Sequence, residues 1–455
     1  MSQPEGASSF FMGFVFNKFA IAALLSVYFL VLSVLYEKYI SPIFGYRGFT
    51  IDRDVHKLGI ALITIIVVSL FITVNKKPSS MIMFFYVILL LVPQLSFTYN
   101  SGGYIEVVVL AVIAYFVMYF CARIPVYVPN LRNVKFSTYE KVIYAFVFTV
   151  LVYAVYTLGY DHFSFKISDV YVRRALLEER YDKFLSGSIG LGFIFIVFLS
   201  IINISKNSLQ VFIPLALGII FFGLTGHKKF AILPIACVAI YKVVAQESKF
   251  GFYAVILAFI ALGMYYIVRT IEYTNVMQNY EALFFTMFFA RVLSIPAQLN
   301  DFYYDFFSKN GFLFWSYSKI GLGMFQYDFN WTPAQLVGRH MFTTGSANTG
   351  LVGSGYMNAG SAGVVIYAVI AGLTLAFVDK IAEMRGTRAL CTMLVLPSFV
   401  IIFTTSDLPN VYFSQGFGLI LLMLWLFRID DQPVQQNLPA GQRSGAVPLS
   451  ASSKR

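Results

Sequence analysis

The chain has 455 residues, of which 58% are hydrophobic and only 12% charged, with a mean hydropathy of +0.74. A soluble domain carries about 25% charged residues, so this composition excludes a soluble enzyme, a nucleic-acid binder and a disordered scaffold. The net charge of +11 then points to basic loops on the cytoplasmic side of a membrane rather than to a polyanionic partner.

Apolar runs long enough to cross a hydrocarbon core as helices recur from end to end. The pattern predicts an all-α polytopic membrane protein with twelve spans, at about 18–36, 58–74, 81–97, 105–121, 142–159, 187–205, 209–226, 230–245, 252–269, 361–378, 390–405 and 412–427. The run at 230–245 is the weakest, being short and containing Pro234. The first run is too long for the core of a signal peptide and no small-residue cleavage site follows it, so it reads as a retained helix. Residues 1–428 form one transmembrane domain, and 429–455, polar and rich in Pro, Gly and Ser, reads as a disordered cytoplasmic tail.

Short loops orient the chain. Segments 75–80 (NKKPSS) and 379–388 (DKIAEMRGTR) are basic, whereas 98–104 and 406–410 contain no Lys or Arg. By the positive-inside rule both termini are cytoplasmic, and most of the positive excess lies on that side. Two segments on the opposite face, about 160–186 and 270–360, are too long for connectors, and long loops in compact proteins are usually functional or disordered. Between Ala282 and Phe307 apolar residues recur at helical spacing, with Arg291, Gln298, Asp301 and Asp305 on the polar side. This predicts a helix lying at the membrane interface, interrupted at Pro296.

Several groups on this outer face could carry chemistry. The pair Arg173-Arg174 follows an aromatic stretch, and guanidinium forks match phosphate oxygens bidentately. Lys228 and Lys229 stand beside His227 in a short outer connection, against the positive-inside trend; they read either as snorkelling side chains or as an anion site. Arg269 ends a span on the same side, and Arg291 and Arg339 fall in the large loop. Asn348, Tyr356 and Asn358 are polar groups at the membrane edge suited to sugar hydroxyls, among small residues that permit close helix packing, as at Gly360 and Gly363. Asp52-Arg53-Asp54 reads either as a divalent-metal pair or as local charge balance around Arg53. Cys121, Cys237 and Cys391 lie within or at the ends of spans, and His56, His162, His227 and His340 show no metal-ligand spacing.

Four stretches occurring in order, FSF…YVRRAL (163–176), GLTGHK (223–228), RVLSIPAQL (291–299) and ANTG…GYMNAGSAGV (347–364), resemble the Wzy-type O-antigen polymerases, which join oligosaccharide repeat units of bacterial envelopes. The resemblance covers nearly the whole chain. It implies a GT-C-like fold of the ligase/polymerase subgroup in the bacterial inner membrane. It implies en bloc transfer of an undecaprenyl-pyrophosphate-linked oligosaccharide onto a lipid-linked repeat unit at the periplasmic face, without metal or other cofactor. Pyrophosphate binding by Arg173, Arg174, Lys228 and Arg291 follows from the same resemblance, as does a chain-length-regulating copolymerase as partner beside the membrane lipid. An Arg-x10-Gly spacing belonging to the resemblance is met by Arg339 and Gly350. Departure of a pyrophosphate calls for fixed cations, and an acceptor hydroxyl for a positioned base. His340, His162 and an outer-loop carboxylate are the candidates for that base, His340 first, with Arg291 as the catalytic cation. The competing readings are a flippase of lipid-linked oligosaccharide, an O-antigen ligase, and a metal-dependent transferase using Asp52 and Asp54.

Overall fold

Every one of the twelve apolar runs falls on helix in the computed structural model, the last of them on two short helices rather than one. The structure describes residues 5–428 except 76, 130–133, 162, 166–182, 207, 228, 246–249, 272–287, 319–320, 322–323, 325, 328, 342–345 and 386. The helices in chain order are α1 (Glu5–Leu35), α2 (Val55–Phe71), α3 (Pro78–Ser101), α4 (Ile105–Cys121), α5 (Phe136–Leu158), α6 (Lys183–Ser205), α7 (Phe212–Thr225), α8 (Lys229–Ala245), α9 (Phe250–Ile271), α10 (Ile295–Asn310), α11 (Pro333–His340), α12 (Leu351–Arg385), α13 (Arg388–Thr404), α14 (Leu408–Phe413) and α15 (Phe417–Leu426). The expected span at 412–427 is divided because Gly416, at φ +76°, separates α14 from α15. Strand pairing among the described residues is a two-residue parallel ladder, Val134–Lys135 with Phe427–Arg428.

Among the described residues, five helices are long and apolar enough to cross a membrane, and seven shorter helices are similarly apolar. The most apolar window of α3 is buried throughout, as expected for a helix that is hydrophobic on every side. Other helices expose rows of large apolar side chains, such as Ile63, Ile66 and Leu70 on α2 and Val142, Phe148 and Val152 on α5. Water would make such rows an aggregation surface, whereas hydrocarbon solvates them. The chain is an all-helical membrane protein.

Polar contacts gather at two opposite ends of the bundle. At one end Ser79 meets Asp379, Lys206 meets Glu140, and Arg385 donates to the carbonyls of Leu424 and Trp425. At the other, Arg53 meets Asn100, Ser164 N–H donates to the Gly223 carbonyl, and α10 lies across α3, α4 and α12. We call the latter the α10 end.

Three π-turns, Tyr36–Ile40, Val87–Leu91 and Ala290–Ser294, stand directly before an X-Pro pair: Ser41-Pro42, Val92-Pro93 and Ile295-Pro296. In each, the N–H of X bonds to the carbonyl five residues back. Proline lacks an N–H and its ring clashes with the carbonyl four residues earlier, so the wider turn makes room without ending the helix. The expected interruption at Pro296 is therefore a bulge. Residues 282–287 of that expected helix lie outside the described residues.

α12 is broken at Ala359 (φ −154°, ψ 33°) and Gly360 (φ 60°, ψ −143°), leaving a short helical piece ahead of a long one. Gly360 takes a left-handed conformation that suits glycine. Gly363 lies so close to the Gly355 carbonyl that a Cβ would fall 2.0 Å from its oxygen. Both glycines serve close packing, as the small-residue pattern suggests. In lipid, where apolar burial drives little helix association, such close backbone approach is a main source of packing energy.

Candidate functional site: a carboxylate, histidine and tyrosine face on α10

The polar side of α10 faces protein rather than solvent. Gln298, Asn300 and Asp301 are buried. The backbone N–H of Gly353 and the Thr349 hydroxyl donate to Asn300 Oδ1 (3.1 and 2.9 Å). Asn300 Nδ2 donates to Gln94 Oε1 (3.1 Å), and Gln94 Nε2 to Asp301 Oδ1 (2.8 Å). The Tyr104 N–H completes the set at Asp301 Oδ2 (2.8 Å). A backbone N–H can only donate, so Gly353 fixes the orientation of both amides and presents Asp301 with donors alone.

Burial pushes the Asp301 carboxyl up to about 7, against the hydrogen bonds from Tyr104 and Gln94 and the charge of Lys57, which act to lower it. An acid whose pKa is raised by folding makes the folded state hold its proton longer than the unfolded one. The stability contributed by this group is therefore fully present below about pH 4, is lost as pH rises to about 7, and is flat above. At about 1.4 kcal/mol per pH unit the interval is worth up to about 4 kcal/mol. Thermal melts in detergent across this range should show native stability relative to Asp301→Asn falling as pH rises. A difference that does not change with pH would assign the titration to another group.

One turn further along α10, Asp305 accepts from Lys309 Nζ and the Tyr104 hydroxyl (both 2.6 Å) and lies 3.3 Å from His340 Nε2. Partial burial acts to raise the Asp305 carboxyl, but hydrogen bonds from Lys309, Tyr104 and His340 outweigh it and hold the group below the usual aspartate value. α11 delivers His340. The sequence Thr332-Pro333-Ala334-Gln335 forms a capping box, with Thr332 Oγ1 accepting from Gln335 N–H and Gln335 Oε1 from Thr332 N–H, and Pro333 sits where no donor is needed. Eight residues on, the imidazole packs edge-on against Phe306 (5.4 Å). Beside the pair, Tyr104 stands 5.2 Å from Tyr304, and Tyr304 4.8 Å from Tyr356. A carboxylate that orients a partly exposed imidazole is the arrangement of a general base, and tyrosine faces with polar tips suit sugar rings.

A second buried centre lies at the same end. Asp407 accepts from the hydroxyls of Tyr317 (2.5 Å) and Tyr367 (2.6 Å). Asn358 Nδ2 donates to both hydroxyl oxygens (3.3 and 3.0 Å), and Trp315 Nε1 donates to Tyr367 (2.9 Å). Burial raises the Asp407 carboxyl, against hydrogen bonds from both tyrosines. The loop before α11 is pinned here: Leu313 and Phe314 N–H bond to the carbonyls of Met357 and Asn358, and Trp315 N–H to Asn358 Oδ1. Phe314 (φ 46°) and Trp315 (φ 58°) are both left-handed, a strain that non-glycine residues keep only where the surroundings over-determine them.

The groups expected from the sequence are distributed as follows. Arg173, Arg174, His162 and Lys228 lie outside the described residues, as do the side chains of Lys229, which opens α8, and Arg269, near the end of α9. Arg291 is exposed on the π-turn before α10, fourteen residues ahead of Asp305, or about 20 Å along a helix axis. Arg291 therefore stands at the start of this helical stretch, whereas His340, on α11, meets it fourteen residues on at Asp305, so the two groups expected to act together are held apart. Arg339 lies over the Trp331 ring, 3.4 Å from its centroid. Asn348 is exposed, Tyr356 is mostly buried beside Tyr304, and Asn358 is fully buried as the hub of the Asp407 network, not at a surface. In the Asp52-Arg53-Asp54 pattern, Asp54 caps α2 by accepting from His56 N–H, and Arg53 binds Glu37 and Asn100 rather than either flanking aspartate, so the charge balance around Arg53 comes from Glu37 and not from within the pattern. Composition and spacing gave no indication of Tyr104, Tyr304, Tyr317, Tyr367 or Asp407; the Tyr and Asp flanking otherwise uncharged loop ends were the available signal.

Comparison of the chain with protein-family models, curated proteins and solved structures returns no match.

Proposed function

We propose that the protein is a membrane glycosyltransferase of the O-antigen polymerase type. It would cross the bacterial inner membrane twelve times in a GT-C-like arrangement, with both termini cytoplasmic and the α10 end periplasmic. The observation that carries this reading is the Asp305–His340 pair at 3.3 Å, flanked by Tyr104, Tyr304 and Tyr356. In the proposed reaction His340 accepts the proton of the acceptor sugar hydroxyl as that oxygen attacks the anomeric carbon. The bond to undecaprenyl pyrophosphate breaks, and the leaving pyrophosphate carries the negative charge away. Arg173, Arg174, Lys228, Lys229, Arg269 and Arg291 are the cations proposed to hold the pyrophosphates. Chain length would be set with a copolymerase partner.

Purified protein given a single lipid-linked repeat unit should produce a ladder of longer glycans that persists in EDTA. Arg173→Ala, Arg174→Ala and Arg291→Ala should each reduce the ladder strongly at normal expression, and normal ladders from all three would remove the cations from the mechanism. No ladder with any repeat unit, but uptake of the lipid-linked sugar into proteoliposomes, would replace the transferase by a flippase. Transfer only to lipid A-core would make it a ligase. Loss of the ladder in EDTA would return attention to Asp52 and Asp54.

A further inference from the structure

At the end of the bundle opposite α10, the C-terminus of α2, the N-terminus of α3 and the C-terminus of α4 enclose a cavity of about 90 Å³. A water takes about 30 Å³ of the liquid, so the space admits a group the size of a tetrahedral anion. Its polar wall is formed by Thr73, Asn75, Lys77, Arg123 and Asp379. Lys18 reaches the rim from α1 and donates to the Ile72 carbonyl. Arg123 spreads its guanidinium over the Tyr119 ring, 3.2 Å from the centroid, and gives one N–H to the Tyr119 carbonyl (2.8 Å).

The charge here is unbalanced. Lys18 and Arg123 are near enough to repel each other, and Lys77 and Arg388 both act on Asp379. Asp379 is the one carboxylate on the wall, and both its oxygens are engaged, Oδ1 by Ser79 N–H (2.9 Å) and Oδ2 by the Ser79 hydroxyl (2.6 Å). Lys77 and Arg123 thus line a small cavity whose single lining acid is already engaged by the first turn of α3, and Lys18 and Arg388 lie close enough to act on the wall residues. Phe71 ties α2 to α4 by edge contacts with Phe116 (5.0 Å) and Tyr119 (5.4 Å). From that junction two exposed apolar rows run along the bundle, Ile63, Ile66 and Leu70 on α2 and Ile113 and Phe120 on α4.

We infer that this cavity binds the phosphate of an anionic phospholipid, with its acyl chains along the α2 and α4 rows. A basic pocket between helices at a membrane surface is a recognition site for such headgroups, and Arg123 offers the fork geometry that phosphate oxygens accept. Free phosphate shares the headgroup chemistry but has no use for the apolar rows, which favour the lipid. The site lies at the other end from the proposed transfer chemistry and does not depend on it.

Native mass spectrometry of the full-length protein in detergent provides the test, with phosphatidylglycerol, phosphatidylcholine and inorganic phosphate as probes. One saturable phosphatidylglycerol is expected, bound more tightly than phosphatidylcholine, and weakened about tenfold or more by Lys77→Gln with Arg123→Gln. Arg123→Lys should lose less. Both side chains are exposed, so the lipid-free melting temperature of the variants should match the native chain, and Arg339→Gln, at the opposite end, should bind the lipid normally. Equal binding of phosphatidylglycerol and phosphatidylcholine, full binding by the double variant, or saturable phosphate binding with no added lipid affinity would each overturn the inference.

Discussion

His340→Ala should lower the initial rate of glycan transfer by about 10²–10⁴-fold, the contribution of a positioned general base, while leaving the fold intact. The side chain is 38% exposed and touches the protein through Asp305 and the Phe306 ring, so its loss opens no cavity in the core. Asp305→Asn should also slow the reaction, by less, because Tyr104 and Lys309 still approach the same position while the imidazole loses the carboxylate that orients it. The measurement is the rate of ladder growth at saturating lipid-linked repeat unit, compared with melting temperature. A native rate in His340→Ala would remove the imidazole from the reaction and shift the proposed base to a carboxylate of the same face.

Asp407→Ala should be the most destabilising single substitution at the α10 end. The carboxylate receives two tyrosine hydroxyls in a buried setting. Removing it strands both, and a buried donor left without a partner costs about 1–3 kcal/mol, so the pair costs roughly 2–6 kcal/mol. Asn358 and Trp315, which bond to the same tyrosines, would lose their geometry too. Adding Tyr317→Phe to Asp407→Ala should recover part of the loss, because removing both partners of a buried hydrogen bond is far less costly than removing one and Asn358 Nδ2 keeps the Ser354 carbonyl and Tyr367; Tyr367→Phe should not, because it strands Trp315 Nε1. Thermal unfolding followed by tryptophan fluorescence is suited to this, since Trp315 reports from inside the network. Equal melting temperatures for Asp407→Ala and the native chain would mean that water replaces the carboxylate.

Much of the architecture is legible in the sequence, because continuous apolar runs mark helices whatever their neighbours. The break between α14 and α15 is not, since the run at 412–427 is apolar on both sides of Gly416. The face of α10 misleads for a more specific reason. The π-turn at Ala290–Ser294 adds one residue to a turn, which rotates everything after it by about 100° relative to a regular helix. A 3.6-residue period drawn from Arg291 to Asp305 puts both on one polar side, whereas Arg291 is exposed and Gln298 and Asp301 are buried. An X-Pro pair follows the turn here and at Pro42 and Pro93, but Pro234 and Pro397 lie inside helices with no such turn, so the pair alone does not announce the slip. His340 could be singled out as an outer-face histidine, but its partner Asp305 lies 35 residues earlier in the chain, and only folding brings them together. The Asp407 network joins residues from the loop before α11, from both pieces of α12 and from the α13–α14 connection, so nothing local announces it.

The chain of bonds from Gly353 through Asn300 and Gln94 to Asp301 has an electrical consequence. Its links are carboxamides, which hold their hydrogens and cannot hand a proton along as a row of hydroxyls or waters does. The row transmits orientation but not protons, and so forms an insulated side of Asp301. Any proton exchanging at that carboxyl must arrive from the opposite flank, past Tyr104 and Lys57.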